Sequence, residues 1–223
     1  MATRDGIMEQ LAINEFATPA QLAALCQVQL PAISKAIKQL QTQSMIVTEP
    51  GFRPSVLRLS FKGARMLGKR LPSGKRSPSA AVQQHACHRN EAALVLSEKY
   101  AGFQWTPKSQ LLSHGLRPAL GEHAATDAQG CAHLVLLDDY LMTSDRILRS
   151  WTRRHTPDTR HYPVHIGQRW CDLANNFVIV TTSEDQAHRH QTWIEQHHKK
   201  VRQGDARLPD IDIVAIDPLW VLF

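Results

Sequence analysis

Cysteine is scarce in this 223-residue chain, and the four that occur, Cys26, Cys87, Cys131 and Cys171, lie far apart with no Cys-x-x-Cys pair. That spacing argues against a disulfide framework and a cysteine-rich zinc site, and leaves small, buried, reduced thiols. Glycine never clusters: Gly102, Gly115, Gly121 and Gly130 are scattered, so there is no glycine-rich loop to cradle a phosphate. No apolar run approaches membrane-spanning length, and Met1 to Gly6 carry no signal segment, so a cytoplasmic protein with no membrane partner is expected. Histidine is absent from the first 80 residues; all 12 come later. His188, His190, His197 and His198 fall in a predicted surface helix without a convincing third ligand, so a histidine zinc site is not expected. No Ser-His-Asp or Cys-His spacing stands out.

Acidic residues are also scarce where basic ones are not. Residues 1–80 hold 11 Lys and Arg against 4 Asp and Glu, whereas residues 81–223 hold 15 against 16. The whole basic excess sits in the first third, the footprint of a domain that neutralises phosphates. Residues 18–68 give that charge a frame. Thr18-Pro19 opens a short helix with a capping hydroxyl and a proline at the first helical position. After a break at residues 26–29, Ile33, Ile37 and Leu40 recur at helical spacing, which turns Ser34, Lys35 and Lys38 outward. Two short strands, residues 45–47 and 56–59, flank Pro50-Gly51-Phe52-Arg53-Pro54, with breakers where a hairpin tip needs them. Ser60-Phe61-Lys62-Gly63-Ala64-Arg65 starts a closing helix.

This order of elements resembles bacterial winged-helix regulators of the multiple-antibiotic-resistance type, departing from them at Ser44, where such proteins often carry Gly. The resemblance implies double-stranded DNA as partner. Gln29 and Ser34 would read base edges, and Lys35, Lys38, Arg53, Arg58, Lys62 and Arg65 would hold phosphates.

The basic, Pro/Gly/Ser-rich residues 71–80 read as a linker. Beyond them, helical patterns at 81–100, 143–155 and 185–202 alternate with strands at 103–106, 132–137, 177–182 and 211–216, and residues 219–223 are apolar enough to pack into the sheet. The expectation is an α+β chain: a winged helix-turn-helix at 1–70, the linker, and an α/β domain at 81–223. Tyr162, Trp151, Trp170 and Trp193 read as core. Arg146, Arg149 and Arg153 share a helix face beside Arg154 and Arg160, a solvated face or a second phosphate track.

His85-x-x-x-x-Asn90, Arg117-Pro118, Leu136-Leu137-Asp138 leading to Thr143, and the strand 177–182 are similar to the replication-relaxation family of plasmid and mobile-element proteins. That family joins a winged helix to a restriction-endonuclease-like domain, and some relatives act as relaxases in mobilisation. The resemblance implies transcription regulation or an accessory role in conjugation or replication initiation, with a homodimer or other transfer-complex proteins as further partners. An active nuclease of that fold needs paired carboxylates, a lysine, and Mg or Mn. Here Ala119 stands where an Asp would follow Pro118, and Asp138-Asp139 lacks the lysine. No catalytic residues and no cofactor are therefore expected. The alternative is a nicking endonuclease built from Glu122 or Asp127 with Asp138, and Lys108 as a migrated cation; a second alternative is a protein adaptor without enzymatic activity.

Overall fold

The structure, a computed structural model, describes residues 2–69, 78–113, 116–119, 121–139, 143–152, 169–201, 211–217 and 219–221. Most of the expected linker, and Arg153, Arg154, Arg160 and Tyr162, lie outside the described residues. The chain is of mixed α+β type and divides into two compact units, residues 1–94 with 218–223, and residues 95–217. Among the described residues, no helix is long and apolar enough to cross a membrane.

The first unit runs α1 (Ala2–Asn14), β1 (Phe16–Ala17), α2 (Pro19–Leu25), α3 (Leu30–Thr42), β2 (Ile46–Glu49), β3 (Phe52–Arg53), β4 (Val56–Leu59) and α4 (Phe61–Met66), then enters α5 (Ala80–Lys99). The expected start of α2 is present in full. The Thr18 hydroxyl accepts from the Gln21 amide at 3.2 Å, the Gln21 side chain accepts from the Thr18 amide at 3.1 Å, and Pro19 follows. Helix α3 buries Ile33, Ala36, Ile37 and Leu40 against Leu22 of α2, Ile7, Met8 and Leu11 of α1, and Ile46, Leu57 and Leu59 of the sheet. Each fully buried aliphatic side chain contributes about 1.5–3 kcal/mol, so this stripe fixes which face of α3 is left outside. Helix α3 ends with Ser44 in the left-handed region at φ 57°, its amide donating to Gln41 O while the Met45 amide donates to Leu40 O. This is the turn a glycine usually supplies, made here by serine at a conformational cost.

Strands β1, β4 and β2 form an antiparallel sheet in that order, with Ile46 opposite Leu59 and Glu49 opposite Val56. Between β2 and β4, Gly51 takes φ 81° at the tip. Helix α4 lies so close over the start of β2 that a Cβ on Gly63 would sit 2.1 Å from the Met45 carbonyl oxygen. Only glycine fits there.

The boundary of the first unit falls inside α5 rather than at 71–80, and the reason is local bonding. Gln21 Nε2 donates to Cys87 O and Glu91 Oε2, both at 2.9 Å, and Asn90 Nδ2 donates to Phe16 O at 2.6 Å. The final strand, β10 (Trp220–Val221), pairs antiparallel with β3 and belongs to the first unit, not to the larger sheet that its apolar sequence suggested.

The second unit contains β5 (Gln104–Trp105), α6 (Lys108–Ser113), β6 (Glu122–Thr126), β7 (Ala132–Asp138), α7 (Ser144–Thr152), a 3-10 turn (Trp170–Asp172), β8 (Asn176–Thr181), α8 (Glu184–Val201) and β9 (Ile211–Ala215). Its sheet has the order β5-β6-β7-β8-β9, antiparallel as far as β7 and parallel from β7 to β9. The continuous apolar runs of β7 and β8 are explained by burial on both faces. Ile147 and Trp151 of α7, with Trp170, pack on Leu134, Leu136, Phe177 and Ile179; Trp193 of α8 is half-buried on the same cluster.

Candidate nucleic-acid interface

Once the apolar stripe of α3 is committed to the core, Ser34, Lys35 and Lys38 are exposed, and Gln29, the N-cap residue, is exposed with no capping bond from its side chain. Arg53 on the hairpin tip and Arg65 on α4 are exposed too. Lys62 is exposed but tethered: its Nζ donates to Gln43 O at 2.9 Å, satisfying a carbonyl at the C-terminal end of α3. Arg58 behaves differently. It is half-buried, its guanidinium pairs with the buried carboxylate of Glu49, and Nη1 donates to Leu59 O at 3.1 Å. Of the eight residues expected at DNA, seven are exposed and Arg58 is a bonded part of the sheet.

The electrostatics of this surface follow from one observation. Between residues 16 and 69 the sole carboxylate is Glu49, and it is 4% exposed and paired with Arg58. Lys35, Lys38, Arg53, Lys62, Arg65 and Lys69 are all exposed in that same stretch. The exposed charge from α2 through α4 is therefore of one sign.

Several contributing residues had no sequence signal. Gln41 Nε2 donates to Thr48 Oγ1 at 2.8 Å and links the outer side of α3 to β2. Gln83 Nε2 donates to Glu49 Oε2 at 3.1 Å, adding a second partner to the carboxylate that holds Arg58. Asn90, one of the residues quoted for the family resemblance, is buried, and its Nδ2 holds β1 through Phe16 O. Cys87 is buried; desolvation, then Glu91, pushes its thiol up to about 12, so it is chemically quiet.

Of the alternative nuclease residues in the second unit, the register sets Glu122 and Asp138 on neighbouring strands at one end of the sheet and Asp127 toward the other. Glu122 lies opposite Leu136 in the β6–β7 register, with its Oε2 accepting from the Ala119 amide at 2.9 Å and from Trp170 Nε1 at 3.3 Å. Asp138, two residues further along β7, is 1% exposed and accepts from Gln186 Nε2 and His190 Nε2 of α8, the latter at 2.9 Å. His190 is thus buried, not on the helix surface as its sequence context suggested. Asp127 sits beyond the other end of β6, where its Oδ1 accepts from the Gln129 and Cys131 amides and its Oδ2 lies 3.1 Å from His133 Nε2. Six residues of strand, about 20 Å, separate that end of β7 from Asp138. Lys108 is exposed at the start of α6. Among the described residues, no group of three or more His, Cys, Asp or Glu side chains is placed to hold a metal ion. One oxygen of each of these two carboxylates, Glu122 Oε2 and Asp138 Oδ2, is thus committed to protein donors.

Comparison with family models, curated proteins and solved structures yields no match to this chain.

Arg146 and Arg149 of α7 are exposed, in a unit whose charges nearly cancel. Tyr100, Asp212 and Lys99 make a further polar group. The Tyr100 hydroxyl donates to Asp212 Oδ2, and Lys99 Nζ lies 2.7 Å from Asp212 Oδ1. Desolvation works against ionisation of Asp212, but the bonds from Lys99 and Tyr100 outweigh it and hold the carboxyl below its ordinary range; burial first, then Asp212, pushes the Tyr100 phenol up. These groups are structural: they tie the end of α5 to β9.

Proposed function

We propose that this chain is a sequence-specific double-stranded DNA-binding protein whose first unit acts as a winged helix-turn-helix. In this reading α3 is the recognition helix, and the β2–β4 hairpin with its tip at Arg53 is the wing. The observation that carries it is the exclusively basic exposed charge from α2 through α4, in which Lys35 and Lys38 lie on the face of α3 opposite its buried stripe. Phosphate attraction explains why the single carboxylate of this region is buried and paired. Gln29 and Ser34, exposed at the N-terminal part of α3, are the polar groups suited to base edges.

On the resemblance of Arg117-Pro118, Leu136-Leu137-Asp138 and the strand 177–182 to the replication-relaxation family, we propose a mobile-element setting for the second unit. Its carboxylates are engaged in bonds within the protein, which favours an architectural role over cutting. The job proposed is regulation of transcription, or assembly of an initiation complex at a transfer or replication origin. Selection of duplexes from a random library by the full chain tests the specificity. One motif should be enriched, and Gln29→Ala or Ser34→Ala should relax it at one or two positions, each costing about 1–3 kcal/mol of discrimination. A library that emerges without enrichment would contradict sequence-specific recognition.

A further inference from the structure

The tip of the hairpin takes its strand pairing from outside the hairpin. The sheet of the first unit joins β1, β4 and β2, while β3 stands apart from it and pairs with β10. Trp220 lies opposite Arg53 and Val221 opposite Phe52. Among the described residues, β10 is the strand partner of the tip.

Strand β10 is in turn anchored through the residue before it. Leu219 is 5% exposed and packs with Phe16, Phe52, Val56 and Cys87. Helix α5 grips its backbone on both sides. The Leu219 amide donates to His88 Nε2 at 3.0 Å, and its carbonyl accepts from Gln84 Nε2 at 2.7 Å. His88 and Gln84 are four residues apart, one turn of α5, so their side chains leave the same face and bracket the backbone of a single residue.

We propose that Leu219, clamped by His88 and Gln84, is a positioning residue for DNA binding: through β10 it fixes the backbone of β3 so that Arg53 projects outward to a phosphate. The proposal rests on the DNA-binding reading above. The alternation of β3 is the physical link. Phe52 is buried and Arg53 exposed, and a strand that loses its pairing partner loses what keeps that alternation in register. A tip without β10 has to be ordered at the moment of binding, and the contribution of Arg53 is lost to that ordering.

The test uses the full chain and two readouts. Hydrogen exchange without DNA follows the peptide covering residues 50–56, and titration with a 20-base-pair duplex at fixed salt gives affinity. His88→Leu removes the acceptor, Gln84→Leu removes the donor from a half-buried position, and His88→Gln offers an amide oxygen in place of Nε2. Expected are faster exchange at 50–56 in both leucine variants with α3 unchanged, affinity roughly three- to tenfold weaker, as for one phosphate contact given up, and recovery in His88→Gln. In an Arg53→Ala background, His88→Leu should cost nothing further. Unchanged exchange at 50–56 in both leucine variants would overturn the clamp. Losses that multiply in the double variant would show general destabilisation and overturn the positioning role. A wild-type chain that binds no duplex, with the exchange pattern as expected, would overturn that role together with the DNA-binding reading; intact wild-type binding with no loss in the variants overturns the positioning role alone.

Discussion

Substituting Gly63 by alanine sets two opposing effects against each other, and their sizes decide the outcome. An exposed helical glycine replaced by alanine ordinarily gains up to about 1 kcal/mol. Here the new Cβ would stand 2.1 Å from Met45 O and 3.0 Å from Met45 C, both backbone atoms, against an ordinary contact of 3.4 Å or more. Relief requires α4 and the start of β2 to separate by about 1.3 Å, the difference between 3.4 and 2.1 Å. Met45 O also accepts from the Ser60 amide at 2.9 Å, and a displacement of that size breaks the bond. Overpacking of about 1–3 kcal/mol and a lost hydrogen bond of about 1 kcal/mol exceed the propensity gain, leaving a net loss of about 1–3 kcal/mol. For a unit of this size that lowers the midpoint by roughly 5–20 °C. Thermal and urea unfolding followed by circular dichroism measure it. Gly63→Ala as stable as wild type, or more stable, would refute the close approach of α4 to β2.

Ser44→Gly relieves the left-handed φ of 57° and should stabilise the first unit by about 1 kcal/mol in the same unfolding assay. Arg58→Ala should leave the salt dependence of duplex binding unchanged yet destabilise the unit by about 3 kcal/mol, since it leaves the buried Glu49 carboxylate without its charged partner; a lowered salt slope with unaltered stability would mean Arg58 reaches phosphate instead. The carboxyls of Asp127 and Asp212 are held below their ordinary range, so they contribute stability that is complete above about pH 4 and is lost as pH falls through their folded values. Acid unfolding of the wild-type chain should therefore steepen below about pH 4, and Asp212→Asn should flatten that limb; identical acid curves for the two proteins would contradict the assignment.

Much of the first unit was readable because its local rules agree with its tertiary ones. Thr18-Pro19 caps α2, the Ile33, Ile37 and Leu40 spacing buries one stripe, and Pro50-Gly51 turns the hairpin. The main core strands β7 and β8 were equally plain as apolar runs. Helix α1 was not, because Gly6 and the polar residues among its apolar ones blur any stripe; it is held by Ile7, Met8 and Leu11 in the core. Strand β6, Glu122–Thr126, was hidden by two alanines and a lack of β-branched residues before its end. At the candidate interface, Arg58 looked identical to Arg53 in sequence, two basic residues flanking one turn. Only the register, which sets Arg58 opposite Val47 and within reach of Glu49, separates a bonded arginine from an exposed one. The pairing of β10 with β3 joins residues far apart in the chain, and nothing local encodes such a contact.

The central claim is that α3, α4 and the hairpin tip present a phosphate-binding face, and the salt dependence of duplex binding tests it most directly. Five exposed basic residues, Lys35, Lys38, Arg53, Lys62 and Arg65, predict that log affinity falls with log salt with a slope of about −4 to −5 per protomer. Lys35→Ala with Lys38→Ala should reduce that slope by about 2 and weaken all duplexes alike. A slope near zero, or one that the double substitution leaves unchanged, would contradict it.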